Sequence, residues 1–234
     1  MHLFDRFERI VIISLPYRKD RRREMAAQLG RLGISIRDPR VSVFDAFRPD
    51  DAGGFESIGA RGCFLSHLAV LQMSSGGGSV LILEDDTDFT QDIRKRLADA
   101  LPALPQDWKI FYGGGRGLPA SRGGAMTVAP PGVGITSSHF LAFNGGVIGL
   151  AASYLEAMLT RAPGDPRGGP MHVDGAYSHF RADHTELVTW AATPAFGHQR
   201  ASRTDIHRRK WFDRMVLVRG FVGLLRRLAR RSQR

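Results

Sequence analysis

The sequence predicts an α/β protein built on a central, mostly parallel sheet, and three stretches carry that expectation. "RIVIISL" (9–15) is rich in β-branched residues and is stopped by Pro16. "RKDRRREMAAQLGRLG" (18–33) spaces Met25, Leu29 and Leu32 by four and three. "SVLIL" (79–83) holds four successive apolar residues with no apolar–polar alternation. The first reads as a strand and the second as a helix with one apolar stripe that stops at Gly33. The third reads as a strand buried on both faces, which calls for helices above and below the sheet.

The remaining elements follow in chain order. "VSVFDA" (41–46) completes an opening βαβ unit with the first strand and helix. "ARGCFLSHLAVLQM" (60–73) predicts a second helix, closed by "SSGGG" just ahead of the central strand. A helix is expected from about Asp92 to Leu101, then a strand at 108–113. Residues 113–138 are rich in Gly, Pro and Ser without periodicity, and read as a long loop. "HFLAFNGGVIGL" (139–150) reads as strand material broken at Asn144-Gly145-Gly146. Ser153 and Glu156 stand in capping-box spacing at the head of a further helix. "LVTWAATP" (187–194) reads as a last strand, and no internal repeat is visible.

Charge divides the chain. Residues 1–198 hold 21 Lys+Arg against 21 Asp+Glu, whereas residues 199–234 hold 12 against 2, so the formal net charge of +10 belongs to the C-terminal end. The expected organisation is one α/β domain over 1–205 and a basic amphipathic tail over 206–234. Cys63 is the single cysteine and has no internal partner, which fits a reducing compartment. The N-terminus lacks the basic start, longer apolar region and small-residue cleavage site of a secretory signal, so a cytoplasmic protein is expected. No stretch approaches the roughly 20 apolar residues of a membrane span.

The chemistry-bearing signal is "EDDTD" (84–88), directly after the central strand. Alternation along a strand sends Glu84 and Asp86 one way and Asp85 the other. Ligands of open α/β sheets gather beyond the carboxyl ends of the strands, where this cluster falls. Three adjacent carboxylates repel and need a cation, and oxygen donors suit Mg²⁺ or Mn²⁺. The bland alternative is a polar loop in which Asp88 or Thr90 caps the next helix.

Read together, "VIISLPYRKDRRREMAAQL" (11–29), "ARGCFLSHLAVL" (60–71) and "VLILEDDTDF" (80–89) resemble glycosyltransferase family 25, in order and in distance. That family includes bacterial lipooligosaccharide galactosyltransferases and their collagen-modifying relatives. The resemblance covers roughly the first 100 residues. It implies a GT-A fold, a nucleotide-sugar donor that is usually UDP-linked, a divalent metal (Mn²⁺ or Mg²⁺) and inversion at the anomeric carbon. Carried over, it makes Asp86 the first metal ligand with Glu84 helping, sets Asp85 against the donor, and puts Ser66 and His67 of "GCFLSH" near the donor pocket. A late histidine often completes the metal shell in GT-A enzymes, and His198 is the residue positioned to do so; its alternative is a surface loop.

Other candidates carry a plain alternative each. Arg18, Arg21 and Arg22 begin the first helix, where free N–H groups and guanidinium forks suit a diphosphate. Arg18 and Arg22 are the preferred pair, and a solvated basic face is the alternative. Asp174 is the candidate general base for the acceptor hydroxyl, or else the N-cap of a helix starting at Gly175. Arg200 and Arg203 are candidates for the diphosphate or an acidic acceptor. Cys63 is expected to pack in the core. "GGGRGLPASRGG" (113–124) lacks the Gly-Lys-Ser/Thr of a phosphate loop and reads as a surface loop or an acceptor lid.

From Trp211 onward the tail joins apolar and aromatic residues to Arg226, Arg227, Arg230, Arg231 and Arg234. This composition suits a helix lying on anionic lipid, beside the glycolipid acceptors common in the family. The reading is therefore a transferase that moves a sugar, galactose among the options, to a saccharide or glycolipid hydroxyl in cell-envelope (LPS/LOS-type) biosynthesis. Its rivals are a non-catalytic membrane- or nucleic-acid-binding module and another metal-dependent nucleotide enzyme such as a nucleotidyltransferase. Aromatic RNA-recognition motifs are absent, which counts against nucleic acid.

Overall fold

The computed structural model describes residues 3–118 and 124–200 and carries the apolar run at 79–83 through a seven-stranded sheet. The expected tail at 206–234, and Arg203 before it, lie outside the described residues. The chain runs β1 (Arg9–Ser14), α1 (Lys19–Gly30), β2 (Val41–Asp45), α2 (Ile58–Ser74), β3 (Ser79–Glu84), β4 (Thr87–Phe89), α3 (Ile93–Ala100) and β5 (Ile110–Tyr112). It continues through β6 (Met126–Ala129), β7 (Phe140–Asn144), α4 (Val147–Leu159), α5 (Val173–Asp183), β8 (Thr189–Ala192) and β9 (Gly197–Gln199). The sheet order is β2-β1-β3-β7-β5-β8-β6, and β4 and β9 form a separate ribbon.

The expected α/β class with a central sheet is present, and five of the seven strands run one way. β1 pairs in parallel with β2 and β3, and β5 with β8, while β7 and β6 run against their neighbours. A strand buried on both faces is apolar throughout whichever way it runs, so the sequence of β7 could not reveal its direction.

The pleat explains why the run has no alternation. Val80 and Ile82 enter the core beneath α2, α4 and α5, together with Phe64, Leu71, Phe143 and Phe180. Leu81 and Leu83 enter the opposite core, with Met25 and Leu29 of α1 and Leu97 of α3. Both faces of β3 are therefore dry, and each fully buried aliphatic side chain contributes about 1.5–3 kcal/mol.

Three boundaries differ from expectation. The fourth helix begins at Val147, six residues before Ser153, because Val147, Ile148, Ala151, Ala152, Leu155 and Met158 form a buried face that a short window reads as strand. Residues 113–138 are not all loop, since Met126–Ala129 adds an edge strand to β8. The helix carrying Asp174 begins at Val173 with His172 at its N-cap, so Asp174 sits inside the first turn. Among the described residues no helix is long and apolar enough to cross a membrane.

Candidate active site

The carboxylate triplet occupies a tight turn between β3 and β4, at the end of the sheet where the parallel strands finish. Three backbone bonds fix it. Asp85 N donates to Ile13 O at 3.1 Å, Glu84 N donates to His139 O at 3.1 Å, and Arg200 N donates to Asp86 O at 2.8 Å. The Thr87 hydroxyl lies 2.7 and 2.8 Å from the carbonyl oxygens of Glu84 and His139. The turn is thereby stitched to β1, β7 and the segment after β9.

Each carboxylate meets a different environment. Asp85 faces α1: Arg21 donates to its Oδ1 at 2.7 Å and Ser14 Oγ donates to its Oδ2 at 2.7 Å. Both of its oxygens are thus taken by this chain, and its side chain and that of Arg21 are each 9% exposed. Glu84 faces α2: its Oε1 lies 3.3 Å from His67 Nε2 and accepts from Ser138 Oγ at 3.1 Å. Burial works to raise the Glu84 carboxyl, but the bond from His67 and the nearby His67 and His139 rings and Ser138 outweigh it, so Glu84 is held below its ordinary value.

Asp86 lies between them and is the least satisfied of the three. Gln199 Nε2 donates to its Oδ2 at 3.3 Å, and Arg21 comes no closer than 3.8 Å. Its Oδ1 is buried with no hydrogen-bond partner among the described residues. Burial, reinforced by the charges of Glu84 and Asp85 against the relief from Arg21, pushes Asp86 up to about 7. A buried carboxylate with an idle oxygen beside a second, ionised carboxylate has the donor chemistry that a hard divalent cation requires.

Asp174 reaches the same neighbourhood from α5. Its Oδ2 accepts from Ser137 N at 2.9 Å and its Oδ1 from Gly175 N at 2.8 Å. The Ser137 hydroxyl donates to Gln199 Oε1 at 3.2 Å, so Asp174, Ser137, Gln199 and Asp86 form one chain of contacts. Ser137 is the one non-glycine residue with positive φ among the described residues, at 70°. Such backbone strain clusters where function over-determines geometry.

Several expected site residues are committed elsewhere. Arg18 turns back onto Asp20. Arg22 bridges Ser14 O and Asp45 Oδ1, joining the ends of β1 and β2. Ser66 is buried; its hydroxyl donates to Gly62 O at 2.6 Å and accepts from Phe47 N at 2.9 Å, pinning the segment after β2. A side-chain carbon at Gly62 would collide with the Phe47 carbonyl, which is why α2 carries glycine there. His67 is fully buried behind Glu84, with Nδ1 3.1 Å from the Tyr177 hydroxyl. Its partners are Glu84 and Tyr177, so it orients Glu84 from within the core.

The late residues exchange roles. The β4–β9 register sets His198 opposite Asp88, exposed to solvent, while Gln199 turns toward Asp86. The side chain brought to Asp86 is therefore Gln199 and not His198. Arg200 clamps both oxygens of Asp88 at 3.0 and 2.5 Å and also pairs with Glu24, tying the ribbon to α1.

Sequence reading named Arg21 but preferred Arg18 and Arg22 to it, and it missed Ser138, His139, Tyr177 and Gln199. Arg21 carried a signal, because stepping one turn back along the Met25–Leu29 stripe lands on it. Tyr177 fits the buried spacing Val173, Ala176, Tyr177, Phe180. Gln199 and Ser138 carried none, since each reaches the triplet across more than 50 residues of chain.

No family model matches the chain. It is 29% identical over 127 residues to the human protein named inactive glycosyltransferase 25 family member 3, covering 45% of this chain and 21% of that protein. It is 30% identical over 127 residues to the probable inactive glycosyltransferase 25 family member 3 of Rattus norvegicus, covering 45% and 22%. The similarity is to glycosyltransferase family 25. The chain spans about a fifth of the length of these family-25 relatives. A solved structure, of a glycosyltransferase involved in the glycosylation of the major capsid of PBCV-1, matches at a TM-score of 0.36 and 11% identity over 79% of this chain and 92% of that one.

Proposed function

We propose that the chain is a metal-dependent inverting glycosyltransferase that moves a sugar from a UDP-linked donor to a hydroxyl of a saccharide or glycolipid acceptor, as in cell-envelope glycan assembly. The observation that carries this reading is the idle, buried Oδ1 of Asp86 at the tip of β3. Asp86 and Glu84 would hold Mn²⁺ or Mg²⁺. The ion supplies charge neutralisation for the departing diphosphate.

The chain's own groups supply the rest. Tyr17 and Phe47, 51% and 48% exposed, follow the ends of β1 and β2, with the Arg48 guanidinium 5.7 Å from the Tyr17 ring centre. These aromatic faces and the arginine suit a nucleoside base and its phosphates. Asp174 takes the acceptor hydroxyl's proton as that oxygen bonds to the anomeric carbon and the bond to the diphosphate breaks. Its two backbone N–H partners aim the carboxylate without consuming all of its lone pairs. The basic tail at 206–234 would hold the enzyme against anionic lipid.

A thermal-shift panel of nucleoside diphosphates with and without Mn²⁺ tests the reading. Stabilisation by one base, dependent on metal and absent in Asp86→Asn, is the expected result. Equal response to all bases, or none, overturns it. The names of the human and rat relatives favour a second reading, nucleotide-sugar binding without turnover. Single-turnover assay of UDP-sugar cleavage separates the two.

A further inference from the structure

A second cluster lies behind the carboxylate triplet, and the transferase reading does not use it as a unit. Cys63 Sγ, His67 Nε2 and Glu84 Oε1 all lie within 4.8 Å of one another. Glu84 Oε1 is 3.3 Å from His67 Nε2 and 4.0 Å from Cys63 Sγ. Cys63 and His67 are four residues apart on α2, so their side chains share one face and point together at the end of β3. Around a tetrahedral ion with bonds of about 2.0–2.3 Å, ligand atoms stand about 3.3–3.8 Å apart; His67 and Glu84 already do, and the Cys63 sulfur would close in on binding.

The surroundings are those of a built site. His67 has its other ring nitrogen against the Tyr177 hydroxyl at 3.1 Å, the outer-shell contact that fixes the ring of a metal-ligating histidine. In the metal-free protein Nε2 donates to Glu84 Oε1 and Nδ1 accepts from that hydroxyl. A cation that takes the place of the Nε2 proton needs only the Tyr177 hydroxyl to reverse, so that Nδ1 donates to it and the Nε2 lone pair faces the ion. Ser138 Oγ, 3.1 Å from the same carboxylate oxygen, steadies the third ligand. Arg21 is committed to Asp85.

We infer that Cys63, His67 and Glu84 form a site for one thiophilic divalent cation of the zinc class, clipping α2 to the end of β3. A thiolate with an imidazole selects such an ion over Mg²⁺ or Mn²⁺, which prefer all-oxygen donors. On binding, the thiol proton leaves to solvent and the sulfur–metal bond takes its place. The inference rests on these three residues and stands whether or not the chain transfers sugar.

Cd²⁺ is the probe, because its thiolate charge-transfer band in the ultraviolet can arise only from Cys63, the single cysteine of the chain. Reduced, chelator-stripped full-length protein should develop the band and saturate at one Cd²⁺ per chain. At about a hundred times its dissociation constant, Cd²⁺ or Zn²⁺ should raise the melting temperature by about 5–10 °C. Cys63→Ser should abolish both effects, and His67→Ala and Glu84→Gln should each weaken Cd²⁺ at least tenfold. Asp86→Asn should keep the band, so this result and the nucleotide result can fail separately. Folded wild-type protein without a band overturns the inference. So does a band of unchanged affinity in Glu84→Gln, which is isosteric and keeps the test valid even where His67→Ala does not fold.

Discussion

The two flanks of the β3–β4 turn solve one electrostatic problem in opposite ways. Toward α1, Asp85 is closed off by Arg21 and Ser14, a dry pair with every carboxylate oxygen engaged. Toward α2 and α5, the side-chain partners of Glu84 among the described residues are a histidine, the Ser138 hydroxyl and a thiol, none a permanent cation, and Asp86 between the flanks keeps an idle oxygen. The α1 flank is finished by the protein itself, whereas the α2 flank is left for a ligand. Adjacent carboxylates in one motif can thus be structural or functional according to which helix covers them.

The sharpest way to break the comparison is Asp86→Asn. Metal-dependent nucleotide binding and any transfer should fall about a hundredfold or more, read by thermal shift and turnover, while the metal-free protein melts no lower than wild type. Next is Arg21→Met, which strands Asp85 and should cost about 3–5 kcal/mol in urea unfolding; Arg18→Ala, at the half-buried N-cap of α1, should cost under about 1 kcal/mol. Equal costs would erase the distinction between the flanks.

The pH dependence sharpens it further. Asp86 is raised to about 7, so its contribution to metal-free stability is full below the ordinary carboxylate range and is lost as pH rises through about 7. At about 1.4 kcal/mol per pH unit, the loss is at most about 4 kcal/mol. Asp86→Asn should flatten that slope in a denaturation series from pH 4 to 8, and Mn²⁺ should bind more tightly over the same rise. The smallest effects belong to the supports. Tyr177→Phe removes one bond to His67, about 1 kcal/mol by chemical denaturation, and Arg200→Ala should loosen Gln199 for a similar or smaller cost.

Much of this was legible in the chain. The unbroken apolar run of β3 announced helices on both faces, and alternation correctly parted Glu84 from Asp85. Local chemistry failed where distance in sequence decides. Nothing in "GHQ" says that Gln199 rather than His198 turns inward, because that parity is set by pairing with Thr87 and Asp88 across more than 100 residues. The three arginines failed for another reason: chemical likeness concealed that only Arg21 extends the buried stripe of α1. Asp174 lies in the first turn of its helix and not at the cap, because the cap position belongs to His172.

The stitching of the turn to β1, β7 and the segment after β9 has an evolutionary corollary. Because backbone bonds hold the acidic tip in register, stretches of the rim away from Ser137 and Ser138, such as 48–56 and 130–134, are free to drift in length and composition without retuning it. New acceptor preferences would then arise by remodelling these rims, leaving the acidic tip as the inherited constant.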